Sequence, residues 1–227
     1  MKCVSFMLFS IILMISFSVF GGMSEQSSVQ KMLESPQTGS PREVIESITK
    51  DLKKLIDEKP AQNTQKLKTI ISSTMKKAFD FNNLSEKTIK KEFWKKLSKS
   101  QKTRFKILFS ELLTKLYSKK TEEILAMVDL DFKKESVSGN QATVDYIIKR
   151  KDVDIEINYE MCKGKSLNSS ENPWKICNVT FDGADLARTY ALQFNSKLEN
   201  SITLKKTSLQ RSFDQLLAQL DKKVKTI

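Results

Sequence analysis

Cys162 and Cys177 are the residues whose type and spacing promise chemistry most directly. The chain has three cysteines, and Cys3 lies at its very start. An even pair in an exported chain reads as a disulfide, with two free thiols as the alternative. The stretch between them, Lys163 to Pro173, is turn-like and lies between two strand-like runs. A zinc site does not fit two cysteines in a chain with no histidine. The same absence excludes Ser-His-Asp and Cys-His catalysis. Asp129 and Asp131 share one face of a strand and read as a solvated face. No nucleophile motif, Gly-rich phosphate loop or carboxylate-rich metal cluster is present. Asn168-Ser169-Ser170 and Asn178-Val179-Thr180 match glycosylation sequons without further support. The residues therefore point away from an enzyme and require no cofactor or metal.

The basic charge suggests an anionic partner, with lysines that merely solvate helix faces as the alternative. The formal net charge is +12 in 227 residues, with acidic residues spread through every segment. A membrane surface, phosphate headgroups or nucleic acid would each complement it. The first residues choose among these. Lys2 precedes an apolar run from Val4 to Phe20, then Gly21-Gly22 and a polar stretch. This is the order of a secretory signal peptide, expected over residues 1–22. An uncleaved anchor is the alternative. No cysteine follows the apolar run, so a lipoprotein box is absent. Export directs the basic charge toward lipid and away from nucleic acid.

The elements that would position any site follow from hydrophobic period. Residues 23–40 read as a flexible segment, and residues 41–227 as a single domain. Ser40-Pro41 marks an N-cap with proline at the first helical position. Val44, Ile45, Ile48, Leu52, Leu55 and Ile56 follow at helical spacing, and Pro60 ends that helix. A second helix spans about Thr64 to Lys77. Ser85 is expected to cap a short helix bearing Ile89, Phe93 and Trp94. Ser98 to Gln101 forms a capping box that opens a helix with a broad apolar stripe: Phe105, Leu108, Phe109, Leu112, Leu113, Leu116 and Tyr117.

The period then becomes two. Four strands are expected, starting near Val128, Val144, Val153 and Trp174, with turns at Gly139-Asn140, Lys151-Asp152 and Asp182-Gly183. Both cysteines are expected on the solvated face, although Val179 and Phe181 break the strict alternation of the fourth strand, which leaves a bulge or burial on both sides open there. Two helices close the chain, one with Leu186, Tyr190, Phe194 and Leu198, the other opening on a capping box at Thr207 to Gln210. The fold class is α+β: a four-stranded antiparallel sheet wrapped by helices on one face. Periodicity does not separate a filled core from a lined cavity.

Several segments carry a family likeness. Phe79-Asp80-Phe81, Phe93-Trp94-Lys95-Lys96-Leu97-Ser98, Arg104-Phe105, Tyr159-Glu160-Met161, Trp174-Lys175-Ile176, Asp182 to Leu186 and Tyr190-x-x-Gln193-Phe194 stand in one order. Together they resemble the MlaC family, also called the toluene-tolerance family, over about residues 41 to 223. The chain departs from the family pattern at Glu92-Phe93 and Cys177-Asn178. The resemblance implies a periplasmic carrier of phospholipid, working as a monomer. Its implied partners are an outer-membrane lipoprotein complex and an inner-membrane ABC transporter with an MCE-domain subunit. A deep apolar pocket would hold the acyl tails. Its floor is expected to be Val144, Tyr146, Ile148, Ile155, Ile157, Tyr159 and Met161. Phe105, Phe109, Leu112, Leu113 and Leu116 would form one wall, with Tyr190 and Phe194 forming another. A carrier of a different apolar ligand, such as a hopanoid, and a structural or interaction protein are the alternatives.

Overall fold

The computed structural model describes residues 39–57, 64–125, 130–149, 153–164 and 174–227. The expected signal peptide, Cys3, nearly all of the 23–40 segment, Pro60, Val128, the Lys151-Asp152 turn and residues 165–173 lie outside these. Among the described residues, no helix is long and apolar enough to cross a membrane.

Among the described residues, five helices precede the sheet: α1 (Pro41–Asp57), α2 (Thr64–Ala78), α3 (Phe81–Lys87), α4 (Lys91–Lys96) and α5 (Lys99–Leu125). α1 begins as a reciprocal capping box. The Glu43 N–H donates to Ser40 Oγ, and the Ser40 N–H donates to a Glu43 carboxylate oxygen at 2.8 Å. α5 repeats the device, with Ser98 Oγ accepting from the Gln101 N–H and Gln101 Oε1 accepting from the Ser98 N–H.

Two expected caps are corrected. Ser85 lies inside α3 and donates to the Phe81 carbonyl. Asp80 caps that helix instead, accepting from the Asn83 N–H at 3.0 Å. The break at Phe79-Asp80-Phe81 places a carboxylate at the helix start, and carboxylates are strong N-caps. α4 then starts after Lys90, without a side-chain cap. At the last helix the cap is Ser208, one residue beyond the expected Thr207. The Thr207 hydroxyl is instead engaged with Ser201.

The strands are β1 (Leu130–Ser138), β2 (Gln141–Ile148), β3 (Ile155–Lys163), β4 (Trp174–Phe181) and β5 (Ala184–Asp185), antiparallel in sequence order. β5 adds two residues to the expected four-stranded meander. It follows a tight turn in which Asp182 (φ 48°) and Gly183 (φ 72°) are both left-handed, the conformation that suits a two-residue hairpin. Such a short strand carries no readable alternation. α6 (Leu186–Thr203) and α7 (Leu209–Thr226) complete the chain.

Register puts Ala142, Val144, Tyr146 and Ile148 opposite Met161, Tyr159, Ile157 and Ile155. Alternation then sends all eight side chains to one face. α1 and the end of α2 cover that face through Val44, Ile45 and Ala78. Past Ala78, Phe79 bridges in parallel to Ile176, and the Asp80 N–H donates to the Ile176 carbonyl at 2.9 Å. This contact protects part of β4's outer edge. On the polar side of β4, buried Asn178 accepts from the Ala187 N–H at 3.0 Å and donates to Glu160 and Asp185. The first turn of α6 is thereby fixed to the sheet.

Cys162 and Cys177 form a disulfide with Cα atoms 5.9 Å apart. The expected solvated position holds for neither sulfur in full. Cys177 is the extra residue of a bulge opposite Glu160 and Met161 and is buried, while Cys162 is half-buried. A bulge breaks strict alternation, so parity along β4 no longer assigns the face.

Candidate functional site

The fourteen residues singled out from the sequence fall into two groups. Val144, Tyr146 and Met161 pack in one cluster with Val44, Ile45, Trp174 and Ile176, and Tyr159 lies against it half-buried. Ile148 and Ile157 extend the same sheet face, with Ile155 beside them. All seven floor residues therefore share one apolar surface. Burial grades across it. Val144 is fully enclosed and Tyr146 is 2% exposed, whereas Leu130, Phe132, Ile155, Val179 and Phe181 are half-buried.

The expected wall residues assemble elsewhere. Phe105, Phe109, Leu112, Leu113, Tyr190 and Phe194 belong to a helical cluster with Trp94, Leu198 and Phe213, and Leu116 packs against it. The Phe105 ring lies 5.5 to 6.2 Å from the rings of Trp94, Phe109, Phe194 and Phe213. Tyr190 meets Phe109 edge to face at 5.0 Å. Edge-to-face and offset geometries of this kind add to burial. None of the floor residues is in this cluster.

Sequence reasoning did not assign the cover of the sheet face to α1. The signal was present in the stripe Val44, Ile45, Ile48 and Leu52, since a one-sided sheet requires an apolar helix over it. Two polar groups stand on the face, and the first, Glu135, had no sequence signal. A bulge between Phe132 and Lys134 shifts parity in β1, so Glu135 stands opposite Val144 on the apolar face. There Glu135 accepts from the Arg42 N–H at 2.8 Å, in the first turn of α1, where a carboxylate meets the positive end of the helix. The Arg42 guanidinium sits 3.7 Å over the Phe132 ring and donates to Glu46 at 2.7 Å.

Tyr146 is the other group. Its ring touches Phe132 and Tyr159 edge to face, and its buried hydroxyl has no hydrogen-bond partner among the described residues. Burial holds its phenol well above the usual tyrosine range. Burial likewise pushes Tyr159 up to about 12. Both hydroxyls are therefore neutral donors at physiological pH. The site offers one apolar sheet face, two tyrosine hydroxyls and an Arg–Glu pair at one margin. Asp80, Cys162 and Cys177 place ligand-type atoms together, but both sulfurs are committed to the disulfide. A cleft of about 220 Å³ between α6 and α7 is lined by Lys197, Ser201, Ser212 and Gln215, among others, and by none of the fourteen residues.

These features define an α+β protein whose antiparallel sheet carries one apolar face closed by helices. The same fold occurs in a phospholipid-binding protein from Ralstonia solanacearum, solved in complex with a phospholipid. The two share 16% identity with a TM-score of 0.65, over 83% of this chain and 98% of that one. The family profile described as MlaC protein matches residues 42–222, and the chain belongs to the MlaC family. Among curated proteins, no sequence matches it.

Proposed function

We propose that this chain is a periplasmic phospholipid carrier that holds acyl tails against the apolar face of its sheet. The observation that carries the reading is that face itself. Seven large side chains from β2 and β3 point one way, closed by α1, with the Tyr146 hydroxyl as an isolated polar group. Family membership and the lipid complex of the Ralstonia protein support it.

Magnitude dictates enclosure. The tails of a phospholipid hold roughly thirty methylenes at about 0.8 kcal/mol each, so exposing them in water costs on the order of 20 kcal/mol. A surface patch cannot offset that. A bilayer offers nearly the same gain, so exchange between protein and membrane is close to balanced, and direction comes from partners. Val144, Tyr146, Ile148, Ile155, Ile157, Tyr159 and Met161 would meet the tails. Phe105, Phe109, Leu112, Leu113, Leu116, Tyr190 and Phe194, expected as walls, would instead form a separate aromatic core that stiffens the helices. Tyr146 Oη would donate to an ester carbonyl of the bound lipid.

In this reading residues 1–22 direct export and residues 41–227 act as one monomeric lipid-binding domain, with residues 23–40 between them. It would shuttle between an outer-membrane lipoprotein complex and an inner-membrane ABC transporter with an MCE-domain subunit. No reaction and no cofactor are assigned to it. Organic extraction of natively purified protein, followed by mass spectrometry, tests the cargo. Phospholipid at near-stoichiometric yield is expected. A hopanoid mass would identify a different apolar cargo. Recovery of no lipid, either from native protein or after incubation with vesicles, would reject the carrier.

A further inference from the structure

We infer that the surface formed by α4 and the start of α5 is a docking face for an anionic phospholipid bilayer, independent of what the sheet face holds. Residues 87–106 carry nine Lys or Arg and one acidic residue, Glu92. That is a net +8 of the chain's +12 within twenty residues. Lys87 and Lys90, at its edge, are paired with Glu160 and Glu199. The other seven cations make no ion pair among the described residues. Of the acidic groups on neighbouring elements, Glu199 is held by Lys90, and Asp214 accepts from Gln101 at 2.9 Å.

Two adjoining helices carry most of these cations. Lys99, Lys102 and Lys106 recur at helical spacing along a single side of α5, and the ammonium groups of Lys102 and Lys106 lie 5.7 and 5.9 Å from the same Trp94 ring. That ring belongs to α4, whose Lys95 and Lys96 are both exposed. Like charges placed this closely repel, and α5 worsens the repulsion: its first turn has no acidic residue, although the positive end of a helix favours one. An apposed layer of negative charge relieves both costs.

Three features favour a bilayer over a folded acidic partner. Eight of the nine cations are lysine, a hydrated point charge suited to a diffuse field of phosphates rather than to paired, planar recognition. Ile107 sits beside Lys106 and is 52% exposed, giving the patch an apolar group of the kind that enters the headgroup layer. The cations are spread over two successive helices rather than gathered round a single point, matching a surface of repeating headgroups.

The test is co-sedimentation of the full chain with vesicles of phosphatidylcholine alone, and of phosphatidylcholine mixed with phosphatidylglycerol. The apolar N-terminal run would bind both alike, so the readout is the difference between them. Stronger retention on the anionic vesicles, weakened by added salt, is expected. The triple variant Lys95→Glu, Lys96→Glu, Lys99→Glu lowers that preference about tenfold or more. A control with the same charge change at Lys205, in the loop before α7, and at Lys222 and Lys223, near the end of α7 (Lys205→Glu, Lys222→Glu, Lys223→Glu), retains most of it. Circular dichroism establishes that both variants are folded. Equal retention on the two vesicle types would overturn the inference and leave an acidic protein surface as the partner. So would equal loss in both variants, since net charge rather than this face would then govern binding.

Discussion

Tyr146 concentrates the residue-scale questions. A buried hydroxyl without a partner costs about 1–3 kcal/mol relative to one that is satisfied, so its retention on an otherwise apolar face calls for a use. In lipid-free protein, Tyr146→Phe is expected to leave stability unchanged or raise it by about 1 kcal/mol. In protein incubated with phospholipid vesicles, the same change is expected to reduce the stabilisation that lipid confers. Urea denaturation with and without vesicles reads both. Tyr159 gives a pH signature. Its phenol rises from 10.0 to about 12 in the folded chain, so the neutral form is favoured by folding. The stability it contributes is complete below pH 10 and is lost as pH climbs from there to about 12. Tyr159→Phe should flatten the alkaline fall in the urea midpoint over that window. A wild-type-like fall in the variant would place the titrating group elsewhere.

Elements meet through a few polar fasteners. Asn178 joins β4 to β3 through Glu160 and to α6 through the Ala187 N–H. Asn178→Ala leaves that buried N–H unsatisfied, and a loss of about 1–3 kcal/mol is expected in thermal or urea unfolding. The disulfide fastens the β3–β4 hairpin across a sequence separation of 15 residues. Cys162→Ser with Cys177→Ala is expected to cost about 3 kcal/mol in the chain-entropy account. In the parent protein, reductant should lower the unfolding midpoint, and in the double variant it should have no effect. The capping boxes at Ser40 and Ser98 were legible because each is a local rule, with side chain and backbone three residues apart. The cap at Ser208 was assigned to its neighbour Thr207, and Asp80 was passed over for Ser85, which falls inside the helix that Asp80 caps.

At the scale of the molecule, two apolar bodies lie side by side: the sheet face under α1 and α2, and the aromatic cluster of α3 to α7. Their separation makes different predictions for the two groups of residues. Phe105→Ala removes a fully enclosed ring of the helical cluster and is expected to cost about 3–5 kcal/mol, yet protein that remains folded should still yield lipid on extraction. Val144→Glu places a charge at the centre of the sheet face. Folded protein of that variant should yield little lipid. Equal lipid yields from the two would show that the sheet face does not hold the tails.

Much of this architecture was legible in the residues alone. The α+β class, the strands β2 to β4, the long α5 and the two closing helices follow from a period of two or of 3.6, which reflects backbone geometry over a few neighbours. The one-sided character of β3 already named the apolar face. What tertiary structure decided is everything that depends on residues distant in sequence. A bulge in β1 turned Glu135 inward, and another in β4 buried Cys177, because register is set between strands rather than within one. The stripe on α5 joined Tyr190 and Phe194 in a cluster of their own, while α1 took the sheet. Period shows that a face is apolar. Only the packing of chain segments far apart in sequence selects which apolar face it meets.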